Sequence, residues 1–270
     1  MKNKKEVNLY FLKEKKQEIV VDKPSNGTLS GHAVGELFDK KIELMIKENF
    51  KNNSDLDVYR QYEYLNELFK KNSNNLTYEE RRNLIPFETL RILFLDNRGK
   101  NIIKKWSENK MFEEKQNDTA DILVVDKKNN FFYLLDVKSN TLSKNSQPPN
   151  IISALKLAKM CKAMLINNEF DKFSIIYIGI DWQEEKNKLV CKEIYIKNLF
   201  KISPEKLYIN WAAALQIQFH VKTINQEYEK SQKQWCIDYL NHFVESAKKR
   251  IKYMENKWIN PFEKVLKNYN

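Results

Sequence analysis

Two aspartates and a lysine, Asp121, Asp136 and Lys138, are the side chains whose types and spacing are best suited to chemistry. Carboxylates held close together repel each other, and burial raises the cost, so such a pair needs a cation or a shared proton. A hard divalent cation that prefers oxygen ligands, such as Mg²⁺, meets this need best. A lysine beside the cation can hold or polarise a water molecule. The set therefore suits phosphodiester hydrolysis, in which a water must be activated and a leaving oxygen stabilised.

These three residues lie at the open end of a predicted β-hairpin that spans residues 119–139. Two apolar runs rich in β-branched and aromatic residues flank a polar break, a pattern that is typical of paired strands. If residues 127–130 form the loop, Asp121 lies directly across from Asp136, with Cβ atoms about 5 Å apart. Because side chains alternate along a strand, Lys138 shares the face of both aspartates.

An acidic residue two positions before a lysine is a weak signal by itself in so charged a chain. Other pairs match the same spacing, but none of them lies at the end of an apolar strand with a second aspartate opposite. Those pairs are Glu14/Lys16, Asp39/Lys41, Glu113/Lys115, Asp126/Lys128, Glu184/Lys186 and Glu255/Lys257. An exposed hairpin with ordinary surface charges stays open as the alternative at this point.

The composition favours a single domain over residues 1–270, long enough to bury a substantial core. A formal net charge of +11, from 47 basic and 36 acidic residues, suits a polyanionic partner, although a merely basic protein is the alternative. No apolar run approaches the roughly 20 residues of a membrane span. The N-terminus lacks the apolar core of a signal peptide. We therefore expect a cytoplasmic protein with no membrane partner.

Apolar periodicity around the hairpin predicts an α/β fold, in which a mixed sheet of five or six strands is flanked by helices. The first long predicted helix begins near Val34, and a second spans residues 55–72. A third begins at a capping box at Thr77 and is broken by Pro86. Further helices are predicted at Asn101–Phe112, at Ile151–Ile166 and in a C-terminal region of about 229–270. The predicted strands are Phe173–Trp182, Leu189–Ile196 and a stretch over 216–221 with one polar face.

A glycine-rich stretch before the first long helix offers accessory groups. Thr28 and Ser30 lie within it, where exposed backbone N–H groups and hydroxyls could approach phosphates, unless the stretch is only a flexible connector. Glu36 lies in the first turn of the helix and is a candidate accessory carboxylate for the metal site. A glutamate at that position is also favourable to the helix dipole without any further role.

A proline-stiffened turn, Gln147-Pro148-Pro149-Asn150, follows the catalytic strand after a polar loop. Asn150 is well placed as the N-cap of the helix that is predicted to start at Ile151. Alternatively, the turn presents Gln147 and Asn150 to base edges, because amide side chains suit mixed donor and acceptor patterns.

With these residues assembled, the chain resembles the type II restriction endonucleases of the PD-(D/E)xK nuclease superfamily, and closely the HincII/HindII group. The resemblance covers almost the whole chain and implies a restriction-endonuclease-like core. The blocks that carry it are SNGTLSGHAVGE (25–36), QYEYLNELF (61–69), FEEKQNDTADILVV (112–125), LLDVK (134–138), PNIISALKLA (149–158) and LYINWAAALQIQFHV (207–221). Ala120 stands where the superfamily has proline, and Pro148 stands where the close relatives have alanine.

The resemblance also implies roles for individual residues. Asp121, Asp136 and Lys138 match the catalytic residues, and both aspartates match metal ligands. Gln147 matches a glutamine that wedges into the DNA stack, and Asn150 matches a residue that reads bases in the major groove. Tyr208 and Asn210 match residues close to the minor groove.

The family cuts duplex DNA at the centre of the palindrome GTYRAC and leaves blunt ends with a 5′-phosphate and a 3′-hydroxyl. The resemblance therefore implies Mg²⁺ as cofactor, with Mn²⁺ as a substitute and Ca²⁺ supporting binding without cleavage. A homodimer is expected, because a palindrome mirrors a two-fold axis. A cognate DNA methyltransferase acting on the same site is also expected. The alternatives are a structure-specific repair or junction nuclease of the superfamily and a non-catalytic DNA-binding protein.

Overall fold

The computed structural model describes residues 7–24, 27, 29, 31–71, 76–97, 100–101, 106, 111–113, 118–143, 147–212 and 215–269. Its strands are β1 Val20–Asp22, β2 Leu56–Tyr59, β3 Asp96–Asn97, β4 Lys100–Asn101, β5 Ile122–Asp126, β6 Phe131–Thr141, β7 Asn150–Ser153, β8 Phe173–Glu185, β9 Lys188–Asn198, β10 Tyr208–Asn210 and β11 Gln216–Gln218. Its α-helices are α1 Phe11–Glu14, α2 Gly31–Phe50, α3 Gln61–Lys71, α4 Tyr78–Asn83, α5 Glu88–Leu95, α6 Ala154–Asn167, α7 Gln232–Met254 and α8 Asn260–Leu266.

Six strands form the central sheet, in the order β1-β9-β8-β6-β5-β2. Strands β6 and β8 pair in parallel, and the other neighbours are antiparallel. The mixed α/β fold predicted from the sequence is confirmed, with six strands. Strand β6 lies in the interior of the sheet with neighbours on both sides, so its backbone is held along its length.

Both faces of the sheet are covered by helices, which explains why β6 reads as an almost continuous apolar run. Helix α2 covers one face with Val34, Phe38, Ile42 and Ile46, all fully buried. Helices α3, α5, α6 and α7 contribute to the core on the other face. Successive residues of β6 therefore point into two different cores.

A smaller sheet of three antiparallel strands, in the order β10-β11-β7, lies beside the larger one. The side chains of Ile152, Ile209 and Ile217 are buried in the core that the sheet shares with α6 and α7. The alternating polar residues of β10 and β11 lie on the other face. The polar face predicted over 216–221 is thus confirmed for Gln216 and Gln218, while His220 lies beyond the strand.

Three element predictions need correction or fall outside the description. The helix predicted over 55–72 begins only at Gln61, because Leu56–Tyr59 pairs with β5 as an edge strand. The N-cap prediction for Asn150 is wrong, because Asn150–Ser153 pairs with β11 and the Ser153 side chain caps α6 instead. Most of the helix predicted over 101–112 lies outside the described residues.

Two boundary predictions are confirmed. The Thr77 side chain accepts a hydrogen bond from Glu80 N while the Glu80 carboxylate accepts one from Thr77 N, which is a complete capping box. Helix α4 ends before Pro86, and α5 starts after it.

The C-terminal region is helical, as predicted, through α7, a π-helical turn at Glu255–Ile259 and α8. Among the described residues no helix has the length and apolar character needed to cross a membrane.

The contact between the large sheet and the segment after β11 gives a stability prediction. A Cβ added at Gly179 of β8 would lie 2.8 Å from Val221 Cβ, which is closer than packed carbons allow. We expect Gly179→Ala to lower the free energy of unfolding by about 1–3 kcal/mol through overpacking. Urea denaturation followed by circular dichroism measures the change.

Gly35→Ala in α2 is the matched control, because an added Cβ there meets only Ser139 Oγ, at 4.0 Å. An alanine inside a helix is favoured over glycine by about 0.5–1 kcal/mol, so this variant should be slightly more stable than the parent. Equal stability of the Gly179→Ala variant and the parent would contradict the close contact.

Candidate active site

The hairpin of β5 and β6 brings the predicted catalytic residues to one place. Its register ends with Ile122 paired with Leu135, so Asp121 and Asp136 are the next residues on the two sides of the hairpin. Residues 127–130 form the loop, as predicted, and Asp126 accepts a hydrogen bond from Asn129 N at 2.9 Å, which closes it. The hairpin that the two apolar runs predicted is therefore present.

Hydrogen bonds fix all three side chains at the open end of this hairpin. Asp121 Oδ2 accepts a hydrogen bond from Val137 N at 2.7 Å, and Asp121 N donates to Leu135 O at 2.9 Å. Lys138 Nζ donates to Asp136 Oδ1 at 2.6 Å. The Asp121 carboxylate thus lies against the backbone between Asp136 and Lys138, and the three groups converge.

Burial and charge shift the protonation of this cluster. Burial raises the pKa of Asp136 well above its ordinary value; Lys138 opposes the rise, and the neighbouring Asp121 adds to it. Burial lowers the pKa of Lys138, but attraction to Asp136 and Asp121 outweighs that effect, so the pKa is raised and the ammonium stays charged. The Asp136 side chain is 8% exposed and that of Lys138 is 25% exposed. The ammonium can therefore reach a substrate while the carboxylate stays shielded.

A third carboxylate, which the sequence pattern did not single out, approaches the same place from helix α2. Burial raises the pKa of Asp39 to about 9, and repulsion by Asp121 and Asp136 contributes, against an opposing effect of Lys138. The Oδ1 atom of Asp39 is buried and has no hydrogen-bond partner among the described residues. A buried carboxylate oxygen without a hydrogen-bond donor, under the electrostatic influence of two more carboxylates, favours a retained proton or a nearby cation.

Helix α3 and the residue before it hold the strand that carries Asp121. Gln61 Oε1 accepts hydrogen bonds from Thr119 N at 3.0 Å and Ala120 N at 3.1 Å. Arg60 Nη1 donates to Asp121 O at 3.2 Å, and its Nε donates to Glu43 Oε2 of helix α2 at 2.5 Å. These buried polar groups fix the backbone of Asp121 relative to both helices, so Arg60 and Gln61 act as positioning residues.

The donor set fits a hard divalent cation. Asp121 and Asp136 offer carboxylate oxygens, and Asp39 offers an oxygen without a hydrogen-bond donor. In the described part of the chain no three His, Cys, Asp or Glu side chains are grouped so that they could hold a metal ion, so only the two aspartates of the hairpin are taken as ligands. A site with two carboxylates leaves positions for water and phosphate oxygens, which is how Mg²⁺ is usually bound. Such a cation supplies charge neutralisation at a phosphate and lowers the pKa of water.

The predicted accessory groups have different outcomes. Glu36 is exposed in α2, and Asp39, one turn further along the same helix, is the carboxylate that interacts with the aspartate pair. The accessory role of Glu36 therefore stays a prediction. Thr28 and Ser30 lie outside the described residues.

The residues predicted to contact bases come together in the three-stranded sheet. Asn150 in β7 is exposed, Tyr208 in β10 is 63% exposed, and Asn210 lies two residues beyond Tyr208 on the same face. Gln147 is exposed and precedes β7 by three residues. The structure therefore places Asn150, Tyr208 and Asn210 on one surface, although 58 residues separate the first two in sequence.

Comparison with known proteins now bears on this arrangement. The family model described as "Restriction endonuclease HincII" matches residues 12–266. The type II restriction enzymes HindII and HincII of Haemophilus influenzae are each 48% identical to the chain over 246 residues, which cover 91% of this chain and 92% of each relative. Among solved structures, the NlaIV restriction endonuclease has a TM-score of 0.34 at 11% identity, over 90% of this chain and 87% of its own.

A mixed sheet that carries two aspartates and a lysine at the end of one hairpin, in a chain with these relatives, defines a type II restriction endonuclease. Such enzymes are nucleases that act on DNA. Within that class, the chain belongs to the HincII restriction endonuclease family.

The raised pKa of Asp39 gives a prediction about pH. Because the folded protein retains a proton that the unfolded chain releases near pH 4, the free energy of unfolding should fall as pH rises from about 4 toward 9 in the absence of metal. Asp39→Asn removes this proton linkage and should be more stable than the parent at pH 8 by about 1–3 kcal/mol. Urea denaturation between pH 5 and pH 9 in EDTA measures both effects.

Asp55→Asn is the control, because Asp55 is an exposed aspartate in the turn before β2. Its stability profile should follow that of the parent. In the parent, Ca²⁺ should raise the melting temperature more at pH 8.5 than at pH 6, since protons compete with the cation for the carboxylates. An Asp39→Asn variant with the parent's pH profile would show that the carboxyl is not proton-linked.

Proposed function

We propose that the protein is a Mg²⁺-dependent endonuclease that cuts both strands of duplex DNA at the centre of GTYRAC. The products would be blunt ends with a 5′-phosphate and a 3′-hydroxyl. The single observation that carries the proposal is the convergence of Asp121, Asp136 and Lys138 at the end of the hairpin. Identity of 48% to HindII and HincII supports the same chemistry and a similar site.

The roles of the three residues follow from their charge and exposure. Asp121 and Asp136 would hold the cation, with Mn²⁺ as a substitute and Ca²⁺ supporting binding without cleavage. The charged ammonium of Lys138 would orient the attacking water and stabilise negative charge beside the scissile phosphate. Asp39 would complete the negative surroundings of the cation from the helix side.

DNA recognition would use the surface around β7 and β10. Gln147, on its proline-stiffened turn, would wedge into the base stack, and Asn150 would read base edges in the major groove. A central pyrimidine-purine step is easily unstacked, so degenerate recognition there can follow from deformability instead of base contacts. Tyr208 and Asn210 would lie near the minor groove.

Basic residues near Tyr208 support a DNA surface at this end of the sheet. Tyr208 and Trp211 line a cleft with a volume of about 410 Å³, together with Lys249 and Arg250 of helix α7. Two positive side chains next to an exposed aromatic ring suit the sugar-phosphate backbone beside a groove. The basic excess of the whole chain acts in the same direction.

A homodimer is the expected assembly, with one strand of the palindrome cut by each subunit. The C-terminal helical region supports it, because every described residue from 251 to 269 is exposed and many of them are apolar. These apolar side chains are Ile251, Tyr253, Met254, Trp258, Ile259, Phe262, Val265, Leu266 and Tyr269. Exposed apolar surface of this extent marks an interaction site. The partner system would include a DNA methyltransferase for the same sequence, in the cytoplasm.

Loss of one carboxylate tests the catalytic assignment. Asp136→Ala should abolish Mg²⁺-dependent cleavage, by at least about 1,000-fold, because the cation loses a ligand while the DNA-reading surface is unchanged. Binding to a GTYRAC duplex in Ca²⁺, measured by gel shift, should persist. The exposed Asp55→Ala variant should cleave like the parent, and cleavage by Asp136→Ala at the parent's rate would remove the assignment.

Specificity and cut position are tested together by digesting a randomised duplex library with Mg²⁺ and sequencing the new ends. Blunt ends within GTYRAC are the expected outcome. Cuts governed by DNA structure, such as junctions or flaps, would instead indicate a repair or resolving nuclease of the same superfamily. Binding without cuts in any divalent metal would indicate a DNA-binding protein without catalysis.

A further inference from the structure

The polar face of the three-stranded sheet carries a connected row of side-chain amides. In the strand register, Gln218 of β11 stands opposite Asn150 of β7 on one side and Tyr208 of β10 on the other. Asn210 is diagonal to Gln218 on the same face. Residues placed in this way on one face are within reach of each other. Gln218 thus lies between the predicted major-groove residue and the predicted minor-groove residue.

Three hydrogen bonds run along this row in sequence. Ala212 N donates to Asn210 Oδ1 at 3.0 Å, and Asn210 Nδ2 donates to Gln218 Oε1 at 2.9 Å. Gln218 Nε2 then donates to Asn150 Oδ1 at 2.8 Å. Each bond has normal length for an N–H···O hydrogen bond. The row therefore forms an amide relay from Ala212 to Asn150.

The backbone end of the amide relay fixes the orientation of every amide in it. A side-chain amide can usually be turned by 180°, since its oxygen and nitrogen have similar shapes. The N–H of Ala212 can only donate, so Asn210 must turn its oxygen toward Ala212 and its nitrogen toward Gln218. Gln218 must then present its oxygen to Asn210 and its nitrogen to Asn150. Each step follows from the one before it.

We propose that Gln218 is a positioning residue that sets the hydrogen-bonding polarity of Asn150 toward DNA. With its oxygen engaged by Gln218, Asn150 presents its NH₂ group to the DNA surface as a donor. This inference rests on the proposed function, and it adds a reason for the base preference at the contacted position. In the major groove, acceptors are offered by guanine N7 and O6, adenine N7 and thymine O4, whereas cytosine offers only the N4 donor and adenine also the N6 donor. The relay therefore favours acceptor edges over cytosine.

Gln218→Glu tests the proposal by inverting one end of the amide relay. A carboxylate still accepts the hydrogen bond from Asn210 but cannot donate to Asn150. Asn150 must then turn its nitrogen to residue 218 and present its oxygen to the DNA. We expect the preference to shift toward bases that offer a hydrogen-bond donor in the major groove. The shift should occur at the position that Asn150 contacts in each half of the palindrome. Cleavage of the cognate sequence should fall about 10- to 150-fold in kcat/KM, the loss expected for one base contact.

Two further variants separate orientation from charge and from folding. Gln216→Glu adds the same charge on the same strand and face, so it should weaken DNA binding without changing the base preference. Gln218→Met keeps the length but neither donates nor accepts as an amide does, so the preference should broaden without inverting. Urea denaturation should give a similar free energy of unfolding for all three variants. If Gln218 had a purely structural role, its two variants would be less stable than Gln216→Glu.

Base preference is read in two ways, by sequencing cleaved ends in Mg²⁺ and by selecting bound duplexes in Ca²⁺. A shift toward donor edges in Gln218→Glu alone supports the relay. A uniform loss of affinity in Gln218→Glu, with the parent's preference kept, overturns it, and so does the same inverted preference in Gln218→Met. The selection in Ca²⁺ requires no cleavage, so it tests the amide relay even if the parent protein does not cut DNA. Failure of the parent to cut would count only against the proposed function.

Discussion

Repulsion among carboxylates at the open end of one hairpin is the constraint on which the rest of this structure depends. The Asp121 carboxylate lies against Val137 N between Asp136 and Lys138, and Lys138 is hydrogen-bonded to Asp136, while Asp39 of helix α2 acts on the same groups electrostatically. In the absence of metal, burial raises the pKa of Asp39 and of Asp136, repulsion between the carboxylates adds to the rise, and retained protons relieve both. A divalent cation relieves it in a more effective way, because it neutralises several oxygens at once.

The fold holds these groups together with interactions that are separate from the chemistry. The hairpin brings the two aspartates to its open end, and the parallel pairing of β6 with β8 keeps the strand that carries Asp136 and Lys138 inside the sheet. Arg60 and Gln61 lie at the junction of β2 and α3. Arg60 donates a hydrogen bond to Asp121 O, and Gln61 accepts hydrogen bonds from the backbone N–H groups of the two residues before Asp121. Ion pairing between Arg60 and Glu43 ties the same junction to α2, the helix that carries Asp39. The charged groups of the candidate site thus keep fixed relative positions.

How far the sequence predicts this arrangement depends on how local the signal is. Two apolar runs around a polar break over 122–138 predict a strand pair and its loop, so the approach of Asp121 to Asp136 could be predicted. Asp39 could not be selected with the same confidence, because its relation to the hairpin depends on how α2 crosses the sheet. The apolar residues of α2 show which face is buried but not which flanking carboxylate meets the strand ends.

Tertiary pairing also overrode local signals elsewhere. Asn150 has the residue type and position of a helix N-cap, yet β7 forms because β11 supplies partners for its backbone. Leu56–Tyr59 continues the apolar spacing of α3, but it forms a strand because it pairs with the edge of β5. In the same way, the link from Asn150 through Gln218 to Asn210 joins residues that no sequence spacing connects. Long-range pairing decides these cases, whereas the hairpin is decided by neighbours in sequence.

The most direct test of the account is where a divalent cation binds. Crystals of the protein with a GTYRAC duplex, grown with Mn²⁺, would be measured for anomalous scattering at the manganese edge. We expect a peak about 2 Å from carboxylate oxygens of both Asp121 and Asp136, with Lys138 Nζ beside it. A fully occupied manganese peak elsewhere, with these two carboxylates still hydrogen-bonded only to protein groups, would contradict it.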